Sequence, residues 1–251
     1  MLAILLFFIL HWYFSLFMHT FLHHRYASHR SFTMTKFWER FFYVVAYITQ
    51  GSSYISPRVY AIMHRMHHAY ADTDLDPHSP SNDRNIFIMM WHARQVSDKI
   101  FKKRVEIEPR FLKNLPDWKK LDIVAHTNWS RLGWIVLYML FYIFFAPSAW
   151  WFLLLPVHIL MVPLQGAIIN WFAHKYGSIN FKVKNTSTNL FKIDLLMMGE
   201  AYHNNHHKSP SSINFGFRWF ELDPTYIIMR CLNWLRVIRI PKVAGKLPFL
   251  R

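Results

Sequence analysis

The chain's capacity for chemistry lies in its histidines. There are 16 in 251 residues, and three dense clusters hold eight of them. These are His24-Arg-Tyr-Ala-Ser-His29, His64-Arg-Met-His67-His68 and His203-Asn-Asn-His206-His207. In the second and third, positions i, i+3 and i+4 share one helix face, so each triplet can aim three imidazoles at a common centre. Adjacent histidines differ by about 100° around a helix, so neighbours can lean toward two different metals. His24 and His29 point roughly 140° apart on an ideal helix, and converge only if the helix ends between them or the metals lie on either side. Asn170 and His174 form an i, i+4 pair and add a ninth imidazole. Nine is too many for one metal of four to six ligands and suits two.

The other histidines have plainer readings. His11, His19 and His158 sit singly in apolar stretches, where a hydrogen-bonded core role is expected, and His92 and His126 read as surface residues. Cys231 is the one cysteine, which excludes an intrachain disulfide and a thiolate metal site; it reads as a small buried hydrophobe. An all-nitrogen ligand set without thiolate suits iron, although ligand identity alone also admits zinc, manganese or copper. Asp74, Asp76, His78 and Glu200 lie near the ligands in sequence and are candidates to fix imidazole orientation. Loop solvation explains Asp72 equally well. No catalytic residue beyond the ligands is indicated.

The elements that must position these residues are helical and membrane-embedded. Hydrophobic residues make up 53% of the chain and aromatic residues 18%, yet the net charge is +15. Residues 1–22 hold no Lys or Arg and residues 129–173 only Arg131, whereas 16 lie in 23–128 and 12 in 174–251. Basic segments alternating with charge-poor apolar ones are the positive-inside pattern of a multi-pass membrane protein, not a nucleic-acid surface. Met1–Leu22 reads as a retained transmembrane helix without a cleavage site. Phe37–Tyr47 reads as an interfacial helix because Glu39 and Arg40 fall in its first turn. Residues 72–128 read as loop and short helix outside the bilayer. Trp129–Phe145 and Trp151–Phe172 read as a transmembrane hairpin around Ala146–Trp150, and Pro210, Pro224, Pro241 and Pro248 divide 174–251 into short segments. The expectation is one all-α domain over 1–251 with about three transmembrane helices. Its histidine-rich dimetal site would lie in a helical cap on the cytoplasmic side, facing the cytoplasm from the inner membrane if the cell is bacterial.

The three boxes, with Asp76-Pro77-His78, Asn170 to His174 and Gly199-Glu200 ahead of His203, resemble the membrane fatty acid desaturases. The likeness is to their acyl-CoA (stearoyl-CoA, delta-9-like) branch, and it runs from Met1 to about Phe220. The resemblance implies two iron ions held by the nine histidines, with Asn170 acting through a water. It implies dioxygen, a fatty acyl-CoA substrate and two electrons from an external ferredoxin- or cytochrome-type donor with its reductase. Removing hydrogen from unactivated methylenes is chemistry that no side-chain acid or base supplies. An apolar tunnel would hold the acyl tail, and Arg58 and Arg65, with the Lys102–Arg104 run, are candidates to attract the phosphate-bearing headgroup. Only 23 residues precede His24, so the first helix of the family's N-terminal hairpin is expected to be absent. No fused haem domain is expected.

Two rival readings stand beside this one. A related hydroxylase would share the metal site and insert oxygen instead. The wider lipid-acting branch often has three residues between the first two histidines, where this chain has four. A membrane metal transporter would place its ligands near the bilayer midplane, whereas these clusters fall at the ends of the expected spans.

Overall fold

The computed structural model describes residues 1–241, so Pro248 and the rest of the expected terminal segment lie outside the described residues. The first helix, α1 (Leu2–Met18), continues without a break into a π-wound segment, His19–Ser28. Leu2–Ser28 is the one unbroken helix among the described residues that is long and apolar enough to cross a membrane. Its 27 residues exceed the expected Met1–Leu22 span, and His24 of the first box lies inside the π-wound part, with His29 just past its end. Leu5, Leu6, Ile9, Leu10 and Phe14 are exposed on its outer face, a continuous apolar surface of the kind that lipid covers.

After a turn, α2 (Lys36–Gln50) runs back against α1. The Thr35 hydroxyl caps it by accepting from the Trp38 amide. Phe37, Phe41, Val44 and Ile48 form an exposed stripe at helical spacing, while Phe42, Tyr43 and Ala46 face inward. The inward face joins Met18, Phe21, Leu22 and Tyr26 in a core directly beneath the first box. Each large side chain buried there contributes roughly 1.5–3 kcal/mol. Gly51 turns the chain with φ of 52°, against the Tyr138 ring, where a Cβ would collide with the hydroxyl. Pro57 opens α3 (Pro57–Tyr70), which packs along the π-wound segment and carries the second box.

The region expected to be loop and short helix contains a 16-residue helix, α4 (Ile86–Phe101), capped by the Asn85 side chain. The short α5 (Lys119–Ala125) leads to α6 (Asn128–Phe145), the first arm of the expected hairpin. Asn128 to Arg131 make the start of α6 polar, so its apolar part is shorter than the bilayer core requires. The second arm is not one straight span. It is broken at Leu160 into Ala149–Ile159 and Met161–Phe172, bent by 70°. Pro156 and Pro163 account for the break, since neither can donate a helical amide. α7 (Leu155–Ile159) and α8 (Met161–Ala167) are its short regular pieces, and Ile168–Phe172 is again π-wound. By length and apolarity the three expected spans therefore reduce to α1 with its extension and this bent pair.

Backbone freed at the break finds partners in the Gly51 turn. The Ser52 hydroxyl donates to the Ile159 carbonyl at 3.0 Å, and the Val162 amide donates to Ser53 Oγ at 3.2 Å. Non-helical backbone at membrane depth is tolerated where protein satisfies it. Nearby, His11 and His158 face each other at 2.7 Å, and the second ring nitrogen of His158 meets Tyr142 Oη at 2.9 Å. Beyond the hairpin are α9 (His203–Lys208) and α10 (Pro224–Trp234), the latter capped by Asp223. Among the described residues a two-residue antiparallel pair, β1 (Thr33–Met34) with β2 (Ile238–Arg239), forms a small sheet. Cys231 lies exposed on α10 rather than buried.

Candidate metal centre

Four pieces of backbone deliver the nine histidines. The π-wound segment supplies His24 and, just past its end, His29; α3 supplies His64, His67 and His68; His174 follows the second π-wound segment; α9 supplies His203, His206 and His207. They assemble into two groups. His24, His29, His64, His68 and His206 form the first, and His67, His174, His203 and His207 the second, with ligand atoms in each group within 4.8 Å of one another.

Two local devices produce that division. In α3 and α9 the i, i+4 pairs, His64 with His68 and His203 with His207, serve one group, while the intervening His67 and His206 serve the other. Each triplet is thus split two to one rather than aimed at a single centre. The first box depends on π winding. The His29 amide donates to the His24 carbonyl at 3.2 Å, the i to i+5 bond that stacks residues five apart on one face. His24 and His29 therefore join one group, neither by ending the helix between them nor by flanking it.

Every one of the nine turns Nε2 inward. The inner nitrogens of His24 and His206 lie 3.0 Å apart, those of His29 and His64 2.8 Å, and those of His68 and His206 2.8 Å. In the second group His174 and His203, and His203 and His207, are each 3.0 Å apart. Burial pushes His29, His64, His68, His203, His206 and His207 well below the usual imidazole pKa, and neighbouring imidazoles push them further. Neutral imidazole is the ligating form. Nine inward nitrogens without a thiolate fit two nitrogen-rich metal sites.

Outside the ring of nitrogens, carboxylates fix tautomer and orientation. With Nε2 facing the centre, Nδ1 carries the proton and donates. His67 donates to Asp76 at 2.9 Å, and His24 donates to Glu200 at 2.6 Å. Asp76 also accepts the backbone amides of Asp72 and His78. Burial alone would raise the Glu200 carboxyl, but His24, Arg25 and Thr20 hold it at about 2. His78 stacks on His67 with ring centres 4.6 Å apart. Asp74 is exposed and bonds to none of these rings. Asp72, for which loop solvation is an equal reading of the sequence, lies where Asp74 is expected, 3.6 Å from His174 Nδ1 and accepting the Thr186 amide at 2.6 Å.

Several supporting residues have roles that no local pattern signalled. Arg25 is fully buried, 2.9 Å from Asp223 and 4.0 Å from Glu200, with its guanidinium 4.0 Å over the Phe215 ring. The partner of Arg25 is 198 residues away, so no local pattern could have shown it. Gly199, at φ of 98°, lets the chain pass Asp223, where an added Cβ would sit 2.5 Å from Oδ1. Asn205, between the box-three histidines, donates to the Phe215 carbonyl and Glu221 and accepts from Asn180 and Asn189. Asn204 accepts the amides of Asn180 and Phe181 and donates to the Phe181 and Ser187 carbonyls. These two side chains clamp α9, a helix of six residues too short to hold itself.

The two headgroup candidates part company. Arg65 donates to the carbonyls of Ala27, Ser28, Phe111 and Lys113, so it ties down the end of the π-wound segment and is not free for a ligand. Arg58, half-buried, and the exposed Lys103 and Lys119 line a cleft of about 560 Å³ with Val59, Ile62 and Phe101 and with the acids Asp117 and Asp122. Asn170 is half-buried in Ile168–Phe172, one turn before His174, and among the described residues bonds to none of the nine histidines.

A family model for fatty acid desaturases matches residues 1–233, and the chain belongs to that family. This is an oxidoreductase family, membrane-associated, whose members act on fatty acyl chains with dioxygen. The sn-1 stearoyl-lipid 9-desaturase of Anabaena variabilis is 28% identical over 89% of this chain and 78% of its own length. The acyl-CoA C20 Delta5-desaturase of Anemone leveillei is 30% identical over 89% and 69% respectively. The Delta-9 desaturase-like 4 protein of Arabidopsis thaliana is 28% identical over 91% and 73%.

Proposed function

We propose that this chain is a multi-pass membrane di-iron desaturase that places a cis double bond in a saturated fatty acyl-CoA. The observation that carries the reading is the division of nine buried imidazoles into groups of five and four that share α3 and α9. Iron bound there would supply the dioxygen-dependent removal of two hydrogens from adjacent methylene carbons. The chain's own residues do the rest. Five inner nitrogens would hold one iron and four the other, with Asn170 completing the second set through a water. Asp76 and Glu200 keep His67 and His24 in the ligating tautomer. Arg25 and Asp223 hold Glu200 in turn.

The four-residue spacing between His24 and His29 favours coenzyme A as the acyl carrier, while similar relatives carry names for both stearoyl-lipid and acyl-CoA substrates. Arg58, Lys103 and Lys119 would attract the carrier's phosphates. The positive-inside pattern favours a centre on the cytoplasmic side. Two electrons would come from a separate ferredoxin- or cytochrome-type donor.

The test is expression in a host unable to make unsaturated fatty acids, followed by mass spectrometry of its lipids and iron analysis of the purified protein. Growth without supplement, a monounsaturated product and two irons per chain are expected. A hydroxylated chain with no new double bond would sink the desaturase reading.

A further inference from the structure

Resting on that reading, we infer that the basic surface around Lys182, Lys184 and Lys208 docks an acidic one-electron carrier protein. Its electrons would reach the second histidine group through Asn185 and His207. Desaturation with dioxygen takes two electrons and two protons from the acyl chain. Reducing dioxygen to two waters needs four of each, so two electrons come from a reductant and two protons from water.

The entry point follows from exposure. His29, His68 and His207 are half-buried, whereas the other six histidines of the two groups are buried. His68 of the first group and His207 of the second stack with ring centres 4.5 Å apart, so both groups approach the surface together here. The outer nitrogen of His207 lies 3.0 Å from the Asn185 amide. Asn185 in turn lines a surface cavity of about 310 Å³ with Ile179, Phe181 and Lys182. Surface, Asn185 and His207 thus make a three-link route.

Charge identifies the occupant. Between residues 175 and 220 the exposed charges are all positive: Lys175, Lys182, Lys184, Lys192, Lys208 and Arg218. The two acids in that stretch, Asp194 and Glu200, are buried. On the facing loop Asp72 is engaged by the Thr186 amide, and Asp74 is the exposed acid. Ile179 is exposed and lines the same cavity as Lys182, giving an apolar contact beside a basic one.

The test uses the full-length, iron-loaded protein in detergent micelles and follows reduction of the metal site anaerobically by stopped flow. The reductants are a reduced plant-type [2Fe–2S] ferredoxin, a reduced soluble b-type haem domain and, as a small reductant, dithionite. Combined Lys182→Glu, Lys184→Glu and Lys208→Glu should lower the bimolecular rate with the faster carrier about 10-fold or more at low salt and flatten its salt dependence. Dithionite reduction and iron content should not change, and Lys120→Glu with Arg230→Glu should leave the carrier rate intact. Asn185→Leu should lower the limiting rate at saturating carrier without changing half-saturation. The inference is overturned if the charge reversal leaves the carrier rates unchanged, or if neither carrier reduces the wild type. A dithionite-reduced protein that meets oxygen and stearoyl-CoA yet forms no double bond would instead sink the desaturase reading, whatever the surface variants do.

Discussion

Asp76 binds one imidazole and two backbone amides at once, and Glu200 is wedged between His24, Arg25 and Thr20. Neither would touch a metal, yet each decides which nitrogen of its histidine carries the proton. Asp76→Asn and Glu200→Gln should therefore weaken metal binding about 10–100-fold, read by chelator competition on the purified protein. Asp74→Asn should leave it unchanged, and a matching loss there would show that loop charge, not ring orientation, is what matters. Proximity in sequence singled out Asp74 alongside Asp76. The chain turns through a positive φ of 63° at Asp72, which directs Asp72 to Thr186 and His174 and leaves Asp74 in solvent. Asn205 is a second case of a residue that works from behind the ligands. Asn205→Ala strands several buried polar partners at about 1–3 kcal/mol each. A clear drop in Tm is expected together with lost metal, and a variant that melts like wild type would show that α9 is held by other means.

At the scale of elements, the π winding of His19–Ser28 and the spacing of the first box are one fact. On an α-helix the pair that shares a face is i, i+4; on a π-wound segment it is i, i+5. Deleting Ala27 should let the segment relax to α winding with both histidines still on one face, so metal is largely retained. Inserting one alanine between Tyr26 and Ala27 should rotate His29 by about 100° out of the first group and lose metal there. Metal content of the two variants, measured side by side, checks the idea, and equal loss in both would count against it. The sequence carried the five-residue interval plainly. It could not show the winding, because His24 to His29 gives no local cue for a π turn, and the carbonyls that the winding frees are tied by Arg65 from another helix. The bent hairpin arm was hidden for a similar reason. Pro156 and Pro163 sit in an apolar run long enough to read as one span, while the serines that satisfy the break lie more than 100 residues away.

For the whole molecule, seven of the nine histidines in the two groups are held toward the neutral form by burial. Folding depresses the pKa of His29, His64, His68, His174, His203, His206 and His207. The unfolded chain therefore binds more protons than the folded one below the ordinary value of about 6.5. Stability from these groups is present above that pH and is lost as pH falls. Glu200, Asp72 and Asp76, also depressed, add loss at still lower pH. Asp122 and Asp194, each raised to about 6, and Asp223, raised by burial, act in the opposite sense but are outnumbered by the depressed groups. The Tm of metal-free protein in detergent should fall steeply once pH drops below about 6.5, and a flat profile between pH 7 and 5 would contradict the buried neutral cluster. What the sequence made legible at this scale was what depends on composition and period, namely apolar stretches, basic segments and the histidine count. What it withheld were contacts between residues far apart, such as Arg25 with Asp223. The splitting of α3 and α9 between both groups carries one last consequence. Each helix is a strut pinned at two points, so an ion seated in either group orders the scaffold of its neighbour. Occupancy should rise in pairs, and native mass spectrometry during iron titration should show empty and doubly filled molecules with few between.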